Sequence, residues 1–179
     1  MIQGSIETGL NAKGEAQALE LAHALLAQKT ELATYQFYVS PQLRAQETMA
    51  VIAAAQGRPP DSIIIDTRLR ELGFGIWEGK PWWEVKASPL YPADAEGRYA
   101  WRPEGGESYA DGVARMDQFL ESLTGPSLIV AHGAIGRCLM GRVAGLSPEA
   151  IVNLQTPQGC YCKMDHGTFT WFDASHQPA

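Results

Sequence analysis

The stretch SLIVAHGAIGRCLMGRVAG, Ser127 to Gly145, decides how the whole chain is read. SLIVAH is a run of strand-forming residues that delivers a histidine. GAIGRCLMGRVAG is a helical pattern that opens on a glycine, carries Arg137 and ends at Gly145. A strand passing through a glycine turn straight into a helix is the building unit of a parallel sheet covered by helices. His132 stands on the lip between the two, and ligands of open α/β sheets sit beyond the carboxyl ends of strands.

The same alternation continues outward. Residues Asn11–Gln28 form an alanine- and leucine-rich helix with an asparagine cap. YQFYVS, Tyr35–Ser40, reads as a strand stopped by Pro41, followed by a helix over Gln42–Ala55 and a short strand at Ile63–Asp66. Ser108–Leu123 is an amphipathic helix with a Ser108/Asp111 capping box, and SPEAIVNLQ is another short helix. CYCKM and TFTWFD flank DHG as a hairpin. The expected architecture is one α/β domain over residues 1–179, a three-layer α/β/α sandwich with a mostly parallel sheet. The Pro- and Gly-rich stretch Ser88–Ser108 reads as a long loop of the kind that forms lids or binding segments.

Composition excludes several classes of function. The chain has 14 Lys and Arg against 20 Asp and Glu, a formal charge of -6, so it carries no electrostatic footprint for nucleic acid or an anionic membrane. It has no apolar run long enough for a membrane span, and MIQGSIETGL lacks the pattern of a signal peptide. Three cysteines, an odd count, fit a reducing cytoplasm. Cys160 and Cys162 share one face of a strand, which suits packing better than metal binding because no third ligand lies nearby.

Two strand ends share an oddity. YVSPQLRAQETM places Arg44 in the first turn of the helix after Ser40, and LIVAHGAIGR places His132 just before another helix. A cation at a helix N-terminus opposes the macrodipole, at about 0.3–1 kcal/mol for an exposed site, which makes sense if an anion sits there. Free N–H groups and a planar guanidinium fork suit two oxygens of a phosphate. Taken singly, Arg44 reads as a solvated helix residue and His132 as a satisfied core histidine; together they point to a phosphate pocket. In RLRELGFGIWEGK, Glu71 precedes a glycine-spaced turn flanked by aromatics. Partial burial there suits a general acid that protonates an alcohol leaving group, and the alternative is a surface ion pair with Arg68 or Arg70. The glycines of this segment do not have the spacing of a nucleotide-binding loop.

SPQLRAQET, LRELGFGIWEGK, PEGGES and VAHGAIGR, in that order, resemble the histidine phosphatase superfamily with its phosphoglycerate mutase-like fold, and its small phosphatase branch in particular. The resemblance covers nearly the whole chain. It implies that Arg44 binds phosphate, that Glu71 protonates the leaving oxygen, and that His132 is the supporting histidine at the transferring phosphoryl group. Gln3 and Gly4 then match a substrate-lining turn, and Gly133 follows His132 at the helix mouth. No metal or cofactor is implied, since side chains supply the cations.

The resemblance also implies a nucleophile that this sequence lacks. Family members begin with a strand ending in Arg-His-Gly, whereas MIQGSIETGL resembles the segment after it, with Met1 where an arginine commonly stands. His23, His166 and His176 do not fall at strand ends. The fold expected is therefore phosphoglycerate mutase-like with the first strand missing, leaving two unpaired ladders. A start assigned too far downstream is the preferred explanation, over a truncated chain or a gap filled by the tail or a neighbouring chain. Losing a nucleophile costs about a millionfold in a well-studied hydrolase, about 8 kcal/mol of barrier. The expected function is a phosphomonoesterase acting on a small phosphorylated metabolite through a phosphohistidine, inactive as written. Trp77, Trp82 and Trp83 are candidates for walling its substrate side, although packing accounts for most of them. The alternatives are a phospho-ligand binding protein without chemistry and a mutase-type phosphotransferase. Expected partners are the small substrate and, as one assembly, a homodimer.

Overall fold

Why three short strands suffice to organise this chain is visible in β1, Gln36–Val39. Phe37 and Val39 point to one face and Tyr38 to the other, and all three are buried. The structure, a computed structural model, describes residues 1–178. β1 pairs in parallel with β2, Ile63–Ile65, on one side and with β3, Ser127–Val130, on the other, in the order β2-β1-β3. The register sets Phe37 opposite Ile63 and Leu128.

Helices cover both faces. On the Phe37 side lie α1, Ala12–Leu26, and α3, Leu43–Gln56, which bury Ala22, Leu25, Ala45, Met49 and Ile52 against the sheet. α2, Lys29–Leu32, links α1 to β1. On the Tyr38 side lie α6, Tyr109–Ser122, α7, Gly133–Val143, and α8, Pro148–Asn153, around Met116, Phe119, Ile135 and Cys138. β3 repeats the alternation, with Leu128 and Val130 on the first cluster and Ile129 on the second. This is the expected three-layer arrangement.

Local signals set the element ends. Asn11 caps α1 by accepting from Gly14 N, Gly57 ends α3 in the left-handed region, and Ser108 and Asp111 close a reciprocal capping box on α6. β4, Tyr161–Asp165, and β5, Thr168–Phe172, form the expected hairpin, with His166 and Gly167 at positive φ in its turn. The hairpin is a separate two-stranded sheet. Among the described residues β3 pairs with β1 alone and β4 with β5 alone, so each keeps a side without a ladder.

The long loop expected over Ser88–Ser108 is a correction. It contains α5, Ala95–Ala100, capped by Asp94, and it follows α4, Trp82–Ala87. Both are too short for a periodic hydrophobic face, so pattern reading passes over them. Trp77 is buried with Ile2 and Val85, against Tyr91 and Trp101. This small third cluster fastens the N-terminal segment to the irregular middle of the chain.

Candidate active site

Because β1 and β3 are parallel, their carboxyl ends open on the same side of the molecule. Ser40 follows β1 and His132 follows β3, and a hydrogen bond of 2.7 Å joins Ser40 Oγ to His132 Nε2. Next to this pair lies a cavity of about 270 Å³. Arg44, Glu71, His132, Gly133, Gln3 and Gly4 all line it, together with Met1, Phe74, Trp82, Tyr109 and Arg137. The six residues expected at the site are thus brought to one place from four separate segments of the chain.

Each is held by identifiable bonds. Arg44 extends from the first turn of α3 and donates through Nη1 to Ile6 O (2.9 Å) and through Nη2 to Gly4 O (3.0 Å). It therefore fastens the 4–6 turn with part of its donor set and faces the cavity with the rest. Burial lowers its pKa from the ordinary value, while Glu71, Glu7 and Glu78 oppose that shift. Gln3 is exposed and donates its side-chain amide to Thr8 Oγ1. Gly4 has φ of +50°, and a Cβ there would lie 2.2 Å from Glu78 Oε1, so the turn needs a glycine. Gly133 is the first residue of α7 and leaves the helix mouth open, with Glu71 Oε2 about as near as an ordinary contact.

Glu71 sits differently from its expected aromatic surroundings. Oε1 accepts from Ile135 N (2.9 Å) and Leu72 N (3.0 Å), and Oε2 from Ala134 N (3.1 Å). The anion at the mouth of α7 is thus this carboxylate, bound by the first-turn amides where the dipole favours it. It pairs with neither nearby arginine: Arg68 binds Asp66 and Arg70 binds Glu107. α3 is served likewise, since Leu43 N donates to Glu7 Oε2. The first-turn amides that the sequence argument offered to a phosphate thus donate to carboxylates of the chain itself at Leu43, Ala134 and Ile135.

The charge expected of His132 is also corrected. Burial, reinforced by the positive charges of Arg44 and Arg115, lowers its pKa to about 3, so the imidazole is neutral at pH 7. A neutral ring still offers a donor and an acceptor, one of them engaged by Ser40.

Four residues to which the sequence reading gave no site role complete the site. Gln42 is buried, donates Nε2 to Gly4 O (2.9 Å) and accepts from Glu71 N (2.8 Å), which ties the N-terminal turn to the acid. Ser40 holds His132. Tyr109 and Arg137 meet through an Nη1–Oη bond of 2.9 Å on the far wall. Ser40 and Gln42 flank Pro41 within the very motif that was read for Arg44, where small polar residues pass for turn chemistry. Of the three tryptophans considered as substrate walls, Trp82 lines the cavity, Trp77 is buried packing, and Trp83 is 73% exposed.

His132 is the one histidine among the described residues that lines the cavity. His23 is exposed on α1, His166 sits in the hairpin turn, and His176 stacks on Phe172. Among the described residues, no group of three or more His, Cys, Asp or Glu side chains is placed to hold a metal. Cys160 and Cys162 are half-buried and free, and burial raises the Cys162 thiol to about 11.

Known proteins resemble this chain to different depths. The sequence profile of the histidine phosphatase superfamily (branch 1) matches residues 1–173. A protein of Yersinia enterocolitica named as a probable phosphoglycerate mutase is 31% identical over 183 residues, 95% of this chain and 79% of its own. The glucosyl-3-phosphoglycerate phosphatase of Mycolicibacterium vanbaalenii is 32% identical over 164 residues, 81% of this chain and 67% of its own. A mycobacterial glucosyl-3-phosphoglycerate phosphatase solved with inorganic phosphate has a TM-score of 0.74 at 24% identity, over 97% of this chain and 92% of that one, a likeness of fold.

Proposed function

The chain belongs to the histidine phosphatase superfamily, and from that premise we propose that its cavity binds the phosphoryl group of a small phosphorylated metabolite as a phosphomonoesterase site. The observation that carries this reading is the convergence of Arg44, His132 and Glu71 on one cavity. Arg44 offers its remaining guanidinium donors to the phosphoryl oxygens, and His132, steadied by Ser40, offers a further hydrogen bond. Glu71 is the acid–base group: its carboxylate takes up a proton from solvent as the ester binds, passes that proton to the departing alkoxide, and then takes another from the attacking water. A phosphoryl dianion favours the protonated imidazole, so binding draws the pKa of His132 upward.

In this mechanism the phosphorus is attacked by an imidazole, and among the described residues no histidine but His132 lines the cavity. On this reading a phosphohistidine forms only where a second imidazole stands beside His132, and without one the cavity binds phosphate with no turnover. That geometry favours a second reading, a phospho-ligand binding protein. A mutase-type transfer is the third, suggested by the name of the Yersinia relative. A cytoplasmic setting fits the three free thiols.

One experiment tests the shared core of the first two readings. Calorimetric titration with inorganic phosphate is expected to show binding that weakens about 100-fold in Arg44→Ala. Unchanged affinity overturns the phosphate pocket. Hydrolysis of an aryl phosphate then separates the two: turnover supports the phosphatase, and binding without turnover supports the second reading.

A further inference from the structure

The two arginines of the cavity differ in how their charge is answered. Arg44 is surrounded by Glu7, Glu71 and Glu78 and spends two nitrogens on backbone carbonyls. Arg137 projects from the second turn of α7 and forms no ion pair among the described residues. Its Nη1 donates to Tyr109 Oη, and its Nε is buried with no hydrogen-bond partner. That nitrogen is closed off inside the protein; Nη2, which has no partner among the described residues, is the donor Arg137 can offer a ligand. Because Arg137 occupies a lone pair of the Tyr109 oxygen, the phenolic proton is free to donate elsewhere. Guanidinium and phenol thus present donors side by side on a cavity wall that also holds Phe74 and Trp82, which pack edge to face.

We propose that Arg137 and Tyr109 form a second anion subsite, which selects phosphomonoesters bearing a carboxylate on their alcohol portion. The inference rests on the phosphatase reading and deepens it: Arg44 and His132 take the phosphoryl end, and Arg137 takes the carboxylate in the planar two-point fashion that suits a guanidinium. The aromatic edges of Phe74 and Trp82 line the space for the carbons between.

Ethyl phosphate and phosphoglycolate, similar in size and differing in the carboxylate, are the probes. Calorimetric titration of the full chain is expected to show phosphoglycolate binding about tenfold tighter. The ratio of the two affinities falls to about one in Arg137→Met and is kept in part by Arg137→Lys. Tyr109→Phe, which removes only the hydroxyl, lowers the ratio and serves if Arg137→Met fails to fold. A residue that merely braces Tyr109 would change both affinities together and leave the ratio alone. Equal binding of the two esters to the unaltered chain, or a ratio unmoved by these substitutions, overturns the subsite while the phosphate pocket stands. If neither ester binds, the phosphatase reading fails and the subsite falls with it.

Discussion

Glu71 and Glu78 lie on the same irregular segment, and both are held by backbone N–H groups, yet they do opposite things. Glu71 accepts from the first turn of α7 and borders the cavity. Glu78 turns away, accepting from Ser5 N (2.8 Å), Ser5 Oγ (2.6 Å) and Phe74 N (2.9 Å), and fixes the turn whose far side Arg44 grips. Burial works against the charged form of Glu78, but the Ser5 and Phe74 donors outweigh it and hold its pKa below the ordinary value. Residue type and local sequence are alike for the two; what differs is the partner across the fold. One carboxylate borders the cavity, and the other braces the turn that forms part of its wall.

The largest effect expected from disturbing this division is at Gly4. In Gly4→Ala the new Cβ meets Glu78 Oε1 and the backbone must keep φ of +50°, so either the Glu78 bonds to Ser5 break or the turn opens. A loss of about 2–3 kcal/mol is expected in urea denaturation, and a change below about 0.5 kcal/mol contradicts the role given to Glu78. Next come the paired substitutions. Glu71→Gln removes a negative charge beside the phosphoryl site and is expected to tighten inorganic phosphate binding about fivefold. Glu78→Gln loosens the wall and weakens binding about threefold. Titrations in which both move the same way break the distinction.

The smallest effect at neutral pH is on the pH dependence of stability. The unfolded chain protonates His132 near 6.5, whereas the folded chain resists until about 3. Between those values the unfolded state binds the extra proton. The contribution is therefore complete above about pH 6.5 and is lost as pH falls toward 3. Denaturation midpoints measured across that window are expected to decline, and less steeply in His132→Gln.

Which residues gather at the cavity was largely legible, because strand ends followed by helices fix where side chains emerge. Arg44 and His132 needed only the strand-turn-helix pattern, and Gly4 only the resemblance. What each residue bonds to was not legible. Two of the three amides that hold Glu71 lie 63 and 64 positions away, and no local pattern encodes a partner at that distance. Tyr109 and Arg137 looked like parts of ordinary amphipathic helices, since a wall residue and a core residue share the same helical spacing. α4 and α5 escaped for a different reason: six residues are fewer than two turns, too few to display a period.

Gln42 spans the two halves of the site with one uncharged amide, its nitrogen on Gly4 and its oxygen facing the Glu71 backbone. The spacing between the Gly4 turn and Glu71 is therefore set within the chain, by an amide that carries no charge for pH or salt to alter. A molecule entering the cavity finds its dimensions already chosen, and binding need not spend affinity on drawing the walls together.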